Sequence, residues 1–253
     1  MLRSPLRSPL RPSLRSPLRG FIPADLGSDL IAHWSADDTS LITLSTANVT
    51  SWKDRVSGLD LAQSTDAARP VWSATSFNGN PGVTFDGTDD VLSAASVGNL
   101  PTGSSPAEIW AVVDQAALVA DTTTRIIFAY GGTSGNTSRA IRRTVVSSQN
   151  RASVITGTGA ATGSAALAAD FSGRHAVGGI FTASGVTAIM DGVATAETAV
   201  VSGTTTTRTV MGASTSLGAS FWNGVVRDIL VTRPTGAAKR HLLTSWLASR
   251  RAA

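Results

Sequence analysis

Cysteine is absent from the 253 residues, which excludes a disulfide framework and thiolate metal sites alike. Packing alone must hold the fold. Glutamate is nearly absent too: Glu108 and Glu197 are the only two, and neither has a second acid two residues away. Histidine occurs three times, at His33, His175 and His241, never in a metal-spaced pair. There is no Gly-x-Ser-x-Gly elbow, and residues 157–163 miss the dinucleotide fingerprint by one residue and lack its strand-to-helix setting. Nothing calls for a nucleophile, a metal or a cofactor, and the chain reads as a non-enzyme. No apolar run is long enough to span a bilayer, and the first residues lack the hydrophobic segment of a secretory signal. A protein made in the cytosol, with no membrane partner, is expected.

The net charge of +4 first suggests a nucleic-acid binder. Its placement argues otherwise. Arg3, Arg7, Arg11, Arg15 and Arg19 all lie in the first 19 residues; without them Lys+Arg falls from 21 to 16 against 17 acids, a net of −1. The basic character belongs to one segment and the remainder is nearly neutral.

That segment repeats every four residues: Leu2-Arg3-Ser4-Pro5, Leu6-Arg7-Ser8-Pro9, Leu10-Arg11-Pro12-Ser13, Leu14-Arg15-Ser16-Pro17, then Leu18-Arg19. The prolines remove donors and clash with the preceding turn, so a continuous helix is excluded. In an extended chain, side chains alternate sides, and a period of four places the five leucines on one side and the five arginines on the other. At roughly 3.3 Å per residue such an arm reaches about 60 Å. It cannot bury its leucines alone, so it is expected to order only against a partner. The alternatives are a solvated low-complexity leader and an organelle transit peptide; the prolines argue against the amphipathic helix that the latter needs.

Residues 21–27 read as a linker, making residues 1–28 arm and linker and residues 29–253 one domain. From Asp29 the pattern is that of strands, at Leu30–Trp34, Ser40–Leu44, Val49–Trp52, Ile109–Val113 and Arg125–Tyr130. Ala140–Val146 and Arg151–Ile155 read as a strand pair, and Gly157–Ala169 as a long loop. His175–Phe181 and Val186–Met190 form a hairpin ending in Asp191-Gly192, and Thr207–Gly212 and Phe221–Val231 close the sheets. The last segment changes period: Thr235 is placed to cap a helix whose apolar face is Leu242, Leu243, Trp246 and Leu247, with Arg250 and Arg251 at the dipole's negative end.

The most organised stretch is Asn78 to Leu92, where Asn78-Gly79, Pro81-Gly82 and Asp86-Gly87 turns alternate with the apolar pairs Val83/Phe85 and Val91/Leu92. With His33-Trp34-Ser35-Ala36-Asp37-Asp38, Trp52-Lys53-Asp54 and Phe221–Val231, it resembles the concanavalin A-like, laminin-G-like jelly-roll superfamily over residues 29–250. The resemblance implies an all-β, two-sheet antiparallel jelly-roll sandwich with one short C-terminal helix. The superfamily includes glycoside hydrolases with a Glu-x-Asp-x-Glu strand, a pattern this chain lacks. Some laminin-G-like modules bind calcium; Asp86, Asp89 and Asp90 are the acids placed for it, although acids in such a turn more commonly satisfy backbone N–H groups. Related modules read sugars with loop aromatics, for which Trp72, Trp110, Trp222 and Tyr130 are the candidates; Trp110 and Trp222 fall within strand patterns and read as core.

A lectin-like jelly roll with an extended arm resembles a structural protein of a bacteriophage virion, a capsid decoration, spike or tail component. On this reading the arm, Leu2 to Arg19, docks on other virion proteins, and host-surface polysaccharide is the candidate ligand. A free carbohydrate-binding module is the first alternative. A nucleic-acid-associated protein tethered by the arm is the second, and it gives no reason for five spaced leucines.

Overall fold

In the computed structural model, residues 20–115, 123–133, 135–146, 149–158, 163–167, 170–200 and 203–253 are described. The arm from Leu2 to Arg19 lies outside them. The first strands are β1 (Leu30–Ser35), β2 (Ile42–Ser45), β3 (Asn48–Lys53), β4 (Asp60–Ala62), β5 (Val71–Phe77) and β6 (Asn80–Asp86). They are followed by β7 (Leu92–Ala94), β8 (Ala107–Gln115), β9 (Arg125–Gly131), β10 (Gly135–Val146), β11 (Gln149–Thr158) and β12 (Gly163–Ala166). The last are β13 (Gly173–Phe181), β14 (Gly185–Met190), β15 (Val193–Ala194), β16 (Thr198–Ala199), β17 (Arg208–Met211) and β18 (Asn223–Thr232), before the helix α1 (Ala237–Ala252).

All the pairings are antiparallel and link the strands into one large sheet. One limb runs β14–β13–β8–β18, and the far edge of β18 takes β1 along Asp228–Thr232 and β6 along Asn223–Val226. The other limb runs β12–β11–β10–β9–β17–β7–β4–β3. The limbs share a single pair, Asn48 opposite Val71, between β3 and β5. By its pairing the expected two-sheet arrangement is therefore one continuous sheet, because β5 bridges the limbs. The largest core cluster draws on both: Trp34 and Ile109 from one limb, Phe128, Ile141 and Val154 from the other. The Trp34 and Phe128 rings lie 5.4 Å apart.

The apolar run in β8 is continuous because both faces of the strand are buried. Ile109, Ala111 and Val113 enter the large core; Trp110 and Val112 point the other way, into a second cluster with Leu230, Leu243 and Leu247. Leu243 and Leu247 are the α1 residues buried there, each contributing roughly 1.5–3 kcal/mol. Leu242, expected on that face, is exposed.

Three other expectations change. Residues 21–27 are not a linker: short 3-10 turns over Pro23–Asp29 bury Leu26, which is 1% exposed, in the second cluster, and Phe21 packs against it. Within the expected loop Gly157–Ala169, β12 pairs with β11 from Ser153–Ala166 to Thr156–Gly163, since a ladder needs only main-chain groups. The cap of α1 is Gly236, because Thr235 is engaged elsewhere.

Candidate functional site

Both glutamates hold hydrogen bonds to protein donors. Glu108 is fully buried. It accepts bonds from the Thr235 N–H (3.0 Å) and hydroxyl (2.9 Å), from the Trp110 indole (3.3 Å) and from Arg240 (2.5 Å). Glu197 accepts the Thr182 hydroxyl at 2.7 Å. His33, 2% exposed, meets Asp228 at 3.2 Å, and Asp228 also binds Arg250. Burial by itself raises the Asp228 carboxyl, but the His33 bond and the Arg250 guanidinium hold it at about 2. Glu108, His33 and Asp228 are buried against α1, whereas Glu197 is exposed and lies away from it.

Basic residues at both ends of α1 meet acids of the body: Lys239 with Asp29 and Arg240 with Glu108 near its start, Arg250 with Asp228 and Asp37 and Arg251 with Asp191 near its end. Beside this seam, helix and sheet leave a cleft of about 190 Å³. Trp110, Ile189 and Leu247 form its apolar floor, and Asp191, His241 and Ser245 stand at its rim. An adjoining recess of about 340 Å³ shares Ile189, Gly192, His241 and Thr244 with it. The Asp191-Gly192 turn that walls both has φ of 52° and 85°, the left-handed pair that an Asp-Gly hairpin turn requires. Asp191 accepts the Ala176 N–H (2.9 Å), His175 Nδ1 (2.8 Å) and Arg251 (2.5 Å). Against a raising effect of burial, these hold its carboxyl below the usual range.

Asp86, Asp89 and Asp90 converge, with ligand atoms within 4.8 Å of one another. They are hard oxygen donors of the kind calcium takes. Asp86 Oδ1 already accepts the Thr88 N–H and Asp90 Oδ2 the Asp86 N–H, so the acids also hold the turn itself. Burial pushes the Asp90 carboxyl up to about 6, against the lowering effect of the Asp86 N–H, and the neighbouring Asp86 and Asp89 charges add to the rise. A raised folded value means stability that is full below about 3.8 and lost as pH rises through about 6. Asp90→Asn, which keeps an acceptor for the Asp86 N–H, is expected to remove that loss. It should exceed the parent in stability by about 1 kcal/mol at pH 7.5 in chelator, with no gain at pH 4. Urea unfolding at the two pH values checks this; equal curves at pH 7.5 would refute it.

Of the expected sugar-stacking aromatics, Trp222, Tyr130 and Trp110 are buried, Trp110 reaching only the cleft floor. Trp72 is half-buried, its indole bound to the Ala36 carbonyl. As a set of loop platforms they are not borne out: Trp110 on β8 and Tyr130 on β9 are turned inward by their strand positions, and Trp222, just before β18, packs in the large core with Trp72 against it. The cleft was missed in the sequence. Its helical side was visible as His241, Thr244, Ser245 and Ala248 at helical spacing; Asp191 and Arg251 carried no local signal of meeting.

The fold is thus an all-β antiparallel domain with a helix-walled cleft. No protein-family model and no curated protein sequence matches the chain. Among solved structures it is similar to domain 4 of AbnA, an extracellular arabinanase from Geobacillus stearothermophilus, in complex with arabinotriose (TM-score 0.57, 11% identity, 85% of this chain and 98% of that one). It is also similar to an arabinofuranosidase complexed with arabinofuranosyl-α-1,2-xylobiose (TM-score 0.55, 13% identity, 79% and 50%). A third is Trypanosoma rangeli sialidase in complex with sialic acid (TM-score 0.57, 15% identity, 88% and 33%). The chain spans half the length of the arabinofuranosidase and a third of the sialidase. At these identities the likeness is one of fold.

Proposed function

We propose that the chain is a non-catalytic carbohydrate-binding module, its sheet folded into a two-layer jelly roll and its arm fastening it to a larger particle. The observation that carries the reading is the match over nearly the whole of an isolated domain whose structure holds arabinotriose. It is supported by the structural engagement of Glu108 and Glu197, the only glutamates in the chain. The two-layer arrangement is supported by the core cluster shared between the limbs of the sheet. Titration calorimetry with neutral arabino- and xylo-oligosaccharides is expected to show saturable binding while reducing-end release stays at the buffer level. Sustained turnover would overturn the non-catalytic assignment.

The arm supports the second half of the proposal. Five leucines and five arginines at a period of four suit an extended segment with one face on protein and the other toward water or acids. A bacteriophage virion, with the module as decoration, spike or tail component, is the particle proposed. Burying a leucine contributes about 1.5–3 kcal/mol, whereas an exposed arginine pair contributes about 0–1 kcal/mol. Replacing Leu6, Leu10 and Leu14 with serine is therefore expected to weaken incorporation more than replacing Arg7, Arg11 and Arg15 with glutamine, with little dependence on salt. A nucleic-acid tether would give the reverse order and a steep salt dependence.

A further inference from the structure

We propose that the cleft between α1 and the Asp191-Gly192 turn holds an uncharged sugar unit, and that the adjoining recess takes the next unit of an oligosaccharide. The assignment rests on the carbohydrate-binding reading and adds to it a place and a ligand charge.

The helix presents two faces. Leu243 and Leu247 are committed to the second core. His241, Thr244 and Ser245, at i, i+3 and i+4, share the adjacent face and look across the cleft toward Ile189. Among the described residues the His241 ring and the Ser245 hydroxyl have no hydrogen-bond partner, although Asp191, His175 and Arg251 around them are all engaged. An apolar floor beneath a rim of unengaged donors and acceptors matches a sugar ring, which has a C–H face and a hydroxyl edge.

The charges decide against other occupants. Asp191 is neutralised by Arg251, and Arg240 in the recess by Glu108. A phosphate or a uronate would meet the Asp191 carboxylate and compete with it for Arg251. A cationic peptide, the chain's own Arg-rich arm included, would meet Arg240 and Arg251. A ligand without charge disturbs neither pair, and the Asp191 wall is already held by its three bonds, so little is lost in ordering it.

The three histidines make the test direct in the full-length protein. Their ring C–H signals are followed by NMR while a panel of neutral oligosaccharides, arabinotriose first, is added, with sialic acid and inorganic phosphate as charged probes. The His241 signal is expected to shift saturably and that of buried His33 to stay still. Ser245→Trp, which fills the cleft from an exposed position, should leave Tm unchanged and weaken neutral-sugar binding at least tenfold. Saturable binding with His241 unmoved and Ser245→Trp harmless would put the sugar elsewhere, overturning the placement but not the carbohydrate reading. Tighter, salt-sensitive binding of sialic acid or phosphate would overturn the uncharged-ligand assignment. Binding of no neutral oligosaccharide would overturn both.

Discussion

Glu108→Ala is expected to lower stability by about 3–5 kcal/mol, the cost of breaking a buried pair by removing one partner. The carboxylate is fully buried and collects donors from three separate segments: Trp110 on its own strand, Thr232 and Thr235 at the exit of β18, and Arg240 on α1. Removing it leaves the Thr235 N–H and hydroxyl without an acceptor and Arg240 without its counter-charge. The strand-to-helix connection is organised around this one side chain, so the loss should appear first as detachment of α1. Guanidinium unfolding followed by Trp fluorescence would register it, since Trp110 and Trp246 lie in the cluster that α1 covers. Adding Arg240→Ala to the variant should cost less than the two single changes summed, because the unpaired cation goes with it. A loss below 1 kcal/mol for Glu108→Ala would show that the network contributes little.

Arg139→Met is expected to cost about 3 kcal/mol or more, although methionine fills much of the same space. Arg139 is fully buried, and among the described residues its hydrogen bonds include no carboxylate partner. It donates to the carbonyls of Pro101, Gly103 and Ser105 and to the Tyr130 hydroxyl, and it lies 5.5 Å from the Phe181 ring centre. Replacing a buried ion pair by apolar residues is often neutral because both partners go. Here the acceptors are main-chain carbonyls that no substitution removes, and each one stranded costs roughly 1–3 kcal/mol. Arg139→Lys should recover only part of the loss, because an ammonium cannot reach three carbonyls with one planar fork. Urea midpoints for the two variants decide it; a methionine variant as stable as the parent would sink the argument.

Strands and their faces were legible where the local pattern and the tertiary demand coincide. Ile109–Val113 reads as a strand, and it is one because both of its faces find cores. The Asp191-Gly192 turn, which joins β14 to β15, was legible from its residues, since few others accept two successive left-handed positions. Thr235 shows where such reading fails. A threonine before a helical period is a good cap, but Glu108, 127 residues away, offered it a buried carboxylate, and Gly236 took the cap position instead. Leu26 fails in the same way: proline and glycine around it read as a linker, while its side chain fits under α1.

The sequence by itself determined the all-β class, the single C-terminal helix, the absence of disulfides and the absence of a hydrolase strand, because each depends on composition or on a period that local backbone geometry repeats. The tertiary structure alone decided which acids are structural and where a cleft opens. Asp191 and Arg251, or His33 and Asp228, meet only after antiparallel pairing has brought distant strands together and α1 has settled across them. Periodicity reports which face of an element is buried, and it carries no information about which element lies opposite.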